Sequence, residues 1–237
     1  TSDDYQEVIT DRPFRAPHHT ASYVSVIGGG QSLAPGEASL SNRGVLFLDE
    51  LPEFNRQTIE SLRQPLEDHR ITITRASGTA SYPANFILAA TANPCPCGFY
   101  GSYNITASGC TCSPHQIASY QRKLSGPLLD RIDLFVQVDS ISHTRLLDSK
   151  PNNIREALTK GVIQARLLQQ QRYGNSLQLN THLSGKDLEK STALLPEAKN
   201  LLNKAATSLK LSSRSYLRTI KIARTIADLA NSESIMA

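Results

Sequence analysis

Three groups of residues in this chain have the types and spacing to do chemistry. The first is Asp49-Glu50, two adjacent carboxylates that follow the apolar run Val45-Leu46-Phe47-Leu48. A continuous apolar run suits a parallel strand buried on both faces. Open parallel sheets bind their ligands at the carboxyl ends of the strands, so this strand lifts both carboxylates to the ligand edge. There one carboxylate can hold a hydrated Mg²⁺ while the other orients or polarises a water for phosphoanhydride hydrolysis. The competing reading is a core strand that ends in a solvated acidic turn.

The second group is the four cysteines. Cys95-Pro96-Cys97 and Cys110-Thr111-Cys112 form two C-x-C arms with twelve residues between them. Four thiolates in two close pairs can converge on a closed, structural Zn²⁺ site, with His115 as a spare ligand. Free thiols, or disulfides formed on oxidation, are the alternatives. The clustering does not resemble the spread-out disulfide framework of a secreted fold.

The third group is a set of polar residues at the ends of other elements. Asn93 follows a second apolar run, Phe86 to Ala92. Arg131 stands in Leu128-Leu129-Asp130-Arg131, with Asp130 and Asp133 as neighbours it could pair with. Arg75, with Thr74 and Ser77, lies at a hairpin tip. Arg214 and Arg218 lie one helical turn apart near the C-terminus. Adjacent histidines on a strand point to opposite faces, so His18 and His19 cannot readily share a metal; structural or phosphate-side roles suit them better.

The elements that position these groups are legible as patterns. The glycine-rich stretch Gly28–Gly36 has no Lys-Ser/Thr ending and reads as a mobile or inserted loop, not a phosphate cradle. Glu37 to Asn42 reads as a short helix. Asn55 can cap a helix carrying Ile59, Leu62 and Leu66, which Pro65 kinks or ends. Arg70–Arg75 alternates and returns through Thr79–Tyr82, a β-hairpin. Leu134–Val138 reads as a third core strand. From Ser140 helical patterns take over: Ile154, Leu158, Ile163 and Leu167 mark one helix that ends near Tyr173. Leu201, Leu202 and Ala205 are expected inward on a second, and Ser212 or Ser213 caps a last one.

With 237 residues and 39% hydrophobic content the chain can build a proper core, and its net charge of +4 permits an anionic partner without requiring one. No apolar run approaches a transmembrane span, and Thr1-Ser2-Asp3-Asp4 has no signal-peptide character. The expectation is a cytoplasmic protein with no membrane partner, and, from the abrupt start without Met, a fragment.

Taken together, Arg12-Pro-Phe-Arg-Ala-Pro-His-His19, the Gly28–Gly30 loop, Gly44-Val-Leu-Phe-Leu-Asp-Glu-Leu-Pro-Glu-Phe54, Asn93-Pro-Cys-Pro-Cys-Gly98 and Gly126-Pro-Leu-Leu-Asp-Arg-Ile-Asp133 resemble the magnesium-chelatase-like ComM/YifB family of AAA+ ATPases. The resemblance spans roughly residues 12–230. It implies an α/β fold: a partial AAA+ P-loop-type parallel sheet with a β-hairpin insert and a Cys-rich insert, then an all-α lid. Residues 1–141 would be the core and 142–237 the lid. Asp49 and Glu50 match the Walker B pair, Asn93 sensor 1, Arg131 the arginine finger acting on a neighbouring subunit, and Arg214 sensor 2, with Arg218 as its alternate. The Gly28–Gly36 loop and the Arg70–Tyr82 hairpin fall where such proteins carry channel loops, so Arg75, Thr74 and Ser77 would touch DNA phosphates.

The implied activity is an ATP- and Mg²⁺-dependent hexameric DNA branch-migration helicase serving natural transformation. A chelatase-type or chaperone-type remodeller acting on a protein, and a zinc-stapled module without catalysis, are the alternatives. The family's Walker A motif has no match in these residues, so the chain alone is expected to bind ATP weakly or not at all.

Overall fold

The computed structural model describes residues 11–76, 78–101, 109–138 and 154–237. The chain divides into two compact units, Thr1–Ser140 and Ile141–Ala237. The first is mixed α/β and is built on a three-stranded parallel sheet; the second is helical.

In the sheet, β1 (Phe14–Arg15) and β7 (Ile87–Ala90) flank β4 (Val45–Leu48), with Val45 opposite Ile87 and Leu48 opposite Ala90. Leu46 and Leu48 are fully buried, while Val45 and Phe47 are half-buried. The central strand is therefore completely covered on one face only, not on both. Phe47 stacks on Phe14 from β1 at 6.1 Å between ring centres. Beneath the covered face lie Leu51, Phe54, Ile59 and Leu62, from the turn Leu51–Glu53 and from α3 (Arg56–Ser61) and its C-cap. Asn55 caps α3 as expected, its side chain accepting from the Gln57 amide at 2.8 Å. Pro65 starts a new short helix, α4 (Pro65–Asp68), instead of ending α3; proline has no amide to lose at that first position.

The glycine-rich stretch is not a loose loop. After α1 (Tyr23–Ile27), β2 (Gly28–Gly29) pairs antiparallel with β3 (Ala34–Pro35), and α2 (Glu37–Leu40) follows. Gly28 has φ +106°, and a Cβ there would lie 2.7 Å from the Ala34 carbonyl oxygen and 2.9 Å from Ile73 Cδ1. Only glycine fits that approach. The expected hairpin forms from β5 (Arg70–Arg75) and β6 (Gly78–Pro83). It packs on the smaller hairpin through Ile73 and Leu33, and the Tyr82 hydroxyl donates to the Leu33 carbonyl at 2.7 Å.

Leu134–Val138 is not a strand. Leu134, Phe135, Val136 and Val138 are each more than two-thirds exposed. Isolated strand backbone leaves its amides and carbonyls without partners, and among the described residues no strand lies beside this one. Helices α5 (Pro114–Gln121) and α6 (Gly126–Leu129) complete the first unit; a Ser113–Gln116 capping box starts α5.

The second unit contains α7 (Ile154–Tyr173), a turn at Asn180–His182, α8 (Gly185–Ser191), α9 (Pro196–Ser208) and α10 (Ser213–Leu229), the last capped by Ser212. Its core is Leu183, Leu188, Ala198, Ile220, Ala227 and Ile235. The apolar stripe expected to face inward on α7 (Ile154, Leu158, Ile163, Leu167) is instead exposed, as is Leu201 on α9. What α7 buries is Ala165 and the polar Gln169. A charged cluster replaces apolar packing there. Asp228, fully buried, accepts from Arg172 (3.0 and 2.5 Å), from Arg224 Nε (3.1 Å) and from Asn180 Nδ2 (2.8 Å). Arg224, also fully buried, donates to the carbonyls of Thr192, Ser232 and Glu233.

Candidate active site

Asp49 and Glu50 leave the carboxyl end of β4, and Thr91 leaves the equivalent end of β7. The register that sets Leu48 opposite Ala90 brings these residues together. The Thr91 hydroxyl donates to Asp49 Oδ1 at 2.6 Å and accepts the Glu50 amide at 2.8 Å. The Thr91 carbonyl takes the Leu51 amide at 2.8 Å. Glu50 adopts the left-handed conformation (φ 54°, ψ 51°), uncommon for a residue with a side chain. The result is an acidic pair at the ligand edge, with Asp49 exposed and the Glu50 side chain about half-exposed.

His19 lies beside this pair, its Nδ1 3.6 Å from Glu50 Oε2. The rings of His18 and His19 lie against each other, centroids 4.1 Å apart and tilted by 34°, because this segment is not strand. The opposite-face expectation for the two histidines therefore does not hold. His18 Nδ1 instead lies 2.9 Å from the Thr20 hydroxyl. Neither Thr91 nor His19 was singled out for the acidic pair by the sequence reading. The one available signal for Thr91 was a hydroxyl at the end of an otherwise apolar run.

Asn93 is exposed two residues beyond Thr91, at the same edge. Arg131 is turned into its own unit: Nη1 donates to the Pro127 carbonyl at 2.6 Å and Nη2 to the Glu67 carboxylate. Its side chain is 15% exposed, and its buried Nε has no hydrogen-bond partner among the described atoms. Arg75 closes the hairpin opposite Gly78, and Thr74 accepts from Thr79 at 3.3 Å. Ser77 lies outside the described residues. Arg214 is exposed and Arg218 half-buried near the start of α10, in the helical unit.

The four cysteines converge. Their sulfurs all lie within 4.8 Å of one another, with Cys95 3.3 Å from Cys97 and 3.7 Å from Cys110. A tetrahedral zinc with about 2.3 Å bonds sets its sulfurs roughly 3.8 Å apart, so the donor set fits the ion. All four are free, and His115 is not among the converging groups. The backbone amide of Phe99, helped by the Cys95 thiol and the Thr111 amide against burial, brings the Cys97 thiol down to about 6. Cys110 goes the other way: burial and three neighbouring thiols outweigh the Cys112 amide and push it up to about 12. The Cys97 backbone lowers the Cys112 thiol, but burial and the Cys97 and Cys95 thiols outweigh it, so Cys112 is also pushed up.

Two family models cover the chain: magnesium chelatase, subunit ChlI, matches residues 1–146, and the ChlI C-terminal model matches residues 154–237. The chain belongs to the magnesium chelatase ChlI family. Among curated relatives, this ChlI-family chain is 43% identical over 226 residues to the competence protein ComM of Haemophilus influenzae, covering 94% of the chain and 43% of that protein. It is 38% identical over 237 residues to the uncharacterized protein YifB of Escherichia coli, covering 99% of the chain and 45% of that protein. It therefore spans less than half the length of these relatives. Its three-stranded parallel sheet and helical C-terminal part fit a partial AAA+ fold.

Proposed function

We propose that these residues form the hydrolytic edge and lid of an ATP-driven DNA motor, a hexameric branch-migration helicase of natural transformation working in the cytoplasm. The observation that carries the reading is the acidic pair tied by Thr91 to the end of β7, two residues before Asn93. Mg²⁺, when bound, neutralises charge on the phosphates and orders them for in-line attack. Asp49 would hold the ion's hydration shell, Glu50 would take a proton from the attacking water, and Asn93 would orient that water. Arg131, donated by a neighbouring subunit, would stabilise the charge that develops on the transferred phosphoryl group. Arg214 or Arg218 would contact the nucleotide from the lid.

No G-x-x-x-x-G-K-[ST] cradle occurs in the 237 residues. The cradle is assigned to a part of the protein outside them, in keeping with the share of its relatives that the chain spans. Cys95, Cys97, Cys110 and Cys112 would hold a structural Zn²⁺ that staples the segment following Asn93. Arg75, with Thr74 and Ser77, would contact the DNA backbone without reading sequence.

DNA-stimulated ATP hydrolysis by the full-length protein tests this reading, with Glu50→Gln as the dead control. The family's chelatase description supports a second reading, a remodeller acting on a protein partner. ATPase activity that DNA leaves unchanged selects that second reading.

A further inference from the structure

We propose that Thr91 is a positioning residue that decides how both carboxylates are presented, an inference that rests on the hydrolytic reading of this edge. A hydroxyl carries one proton. Thr91 Oγ accepts the Glu50 amide at 2.8 Å, so its own proton is committed to Asp49 Oδ1 at 2.6 Å. That bond occupies one oxygen of Asp49 and leaves Oδ2 as the acceptor offered to a hydrated cation. The same oxygen, by holding the Glu50 amide, holds Glu50 in its left-handed conformation, φ 54°. Such a backbone persists only where its surroundings over-determine it. Thr91 supplies three of the bonds around it: hydroxyl to Glu50, carbonyl to Leu51, amide to Leu48 at 3.1 Å; the Glu50 carbonyl also takes the Glu53 amide at 2.8 Å. The backbone bonds splice β4 to β7, and the hydroxyl ties the Asp49 carboxylate and the Glu50 backbone to that splice. In this arrangement Thr91 acts through Asp49 and Glu50.

Thr91→Val keeps the β-branched shape and removes both hydroxyl bonds, whereas Thr91→Ser keeps the hydroxyl. In the full-length protein, Thr91→Val is expected to lower kcat about tenfold or more, the scale of losing hydrogen bonds to a charged group. KM for ATP should stay within about threefold, because the nucleotide cradle lies elsewhere, and the Mg²⁺ midpoint should rise. Thr91→Ser should recover most of kcat. A second measurement needs no turnover: hydrogen exchange of the Glu50 amide, expected to speed up at least about tenfold in Thr91→Val and to stay slow in Thr91→Ser. Unchanged exchange in Thr91→Val, or unchanged kcat and Mg²⁺ midpoint, overturns the proposal. A wild-type protein without ATPase activity removes the hydrolytic reading, and with it the reaction Thr91 is proposed to serve; the exchange measurement then decides only whether Thr91 holds Glu50.

Discussion

Arg131 is held by Glu67, a residue 64 positions earlier in the chain. The sequence offered Asp130 and Asp133 as nearer partners, but α6 directs the guanidinium back toward α4 instead. An arginine finger must reach a neighbouring subunit, so the Glu67 contact competes with that reach. The expected behaviour is complementation. Full-length Arg131→Ala and Glu50→Gln proteins should each lose about a thousandfold or more in kcat. Mixed in equal amounts, they should regain measurable ATPase activity, because some interfaces then pair an intact base with an intact finger. Mixed rings as inactive as the separate variants would show that Arg131 does not act across an interface.

Metal analysis checks the cysteine cluster. Protein purified without added chelator is expected to hold about one zinc per chain, and Cys97→Ser or Cys110→Ser to hold less than half of that. Because thiols must lose protons to ligate, zinc affinity should rise with pH. Less than half an equivalent in the wild type, with the fold retained, would defeat the assignment.

The buried Asp228 gives a pH dependence. Burial alone would raise its pKa, but Arg172, Asn180 and Arg224 outweigh burial and bring it below the usual carboxylate value. A depressed carboxyl contributes stability that is complete above its unfolded value, about 3.9. That stability is lost as pH falls through the lower folded value. The α7–α10 contact should therefore loosen below about pH 4. Asp228→Asn leaves Arg172 and Arg224 without their counter-ion and should cost about 3–5 kcal/mol at neutral pH, with a flatter acid limb in thermal or urea unfolding.

Gly28→Ala tests the docked hairpins. The new methyl meets backbone oxygen, backbone nitrogen and Ile73 below 3 Å, at a backbone angle that favours glycine. A loss of more than about 1 kcal/mol is expected. Gly98→Ala, which also has positive φ but nothing within 4 Å, should lose less. Equal losses at the two positions would mean that conformation, not packing, sets the cost.

Much of this was legible because it is local. The apolar run before Asp49, the Asn55 cap, the β5–β6 alternation and the paired cysteines each announce themselves within a few residues. What was missed depends on register or on neighbours. Thr91 matters because Leu48 lies opposite Ala90, a pairing no single segment contains. His19 reaches Glu50 because β1 runs parallel to β4, and the register Arg15–Leu46 carries the residues after β1 alongside the end of β4. Leu134–Val138 has strand composition but no adjacent strand among the described residues, and composition cannot reveal that. On α7, ion pairs to Asp228 fix the inner face, so the apolar period points outward.

The β5–β6 hairpin ends at Pro83, and the chain reaches Thr91 through Ala84, Asn85, Phe86 and β7. The run is anchored on the way: Ala84 donates to the His69 carbonyl at 2.9 Å, and Ile87 to the Gly44 carbonyl at 3.0 Å. With the smaller hairpin braced against it through Tyr82 and Leu33, the larger one resists bending. A load placed on Arg75 would then pass to the Ala84–Ile87 anchor as a tilt of the paired hairpins. The far arm of that lever is β7, and just beyond it stands the hydroxyl that holds the Asp49 carboxylate and the Glu50 amide.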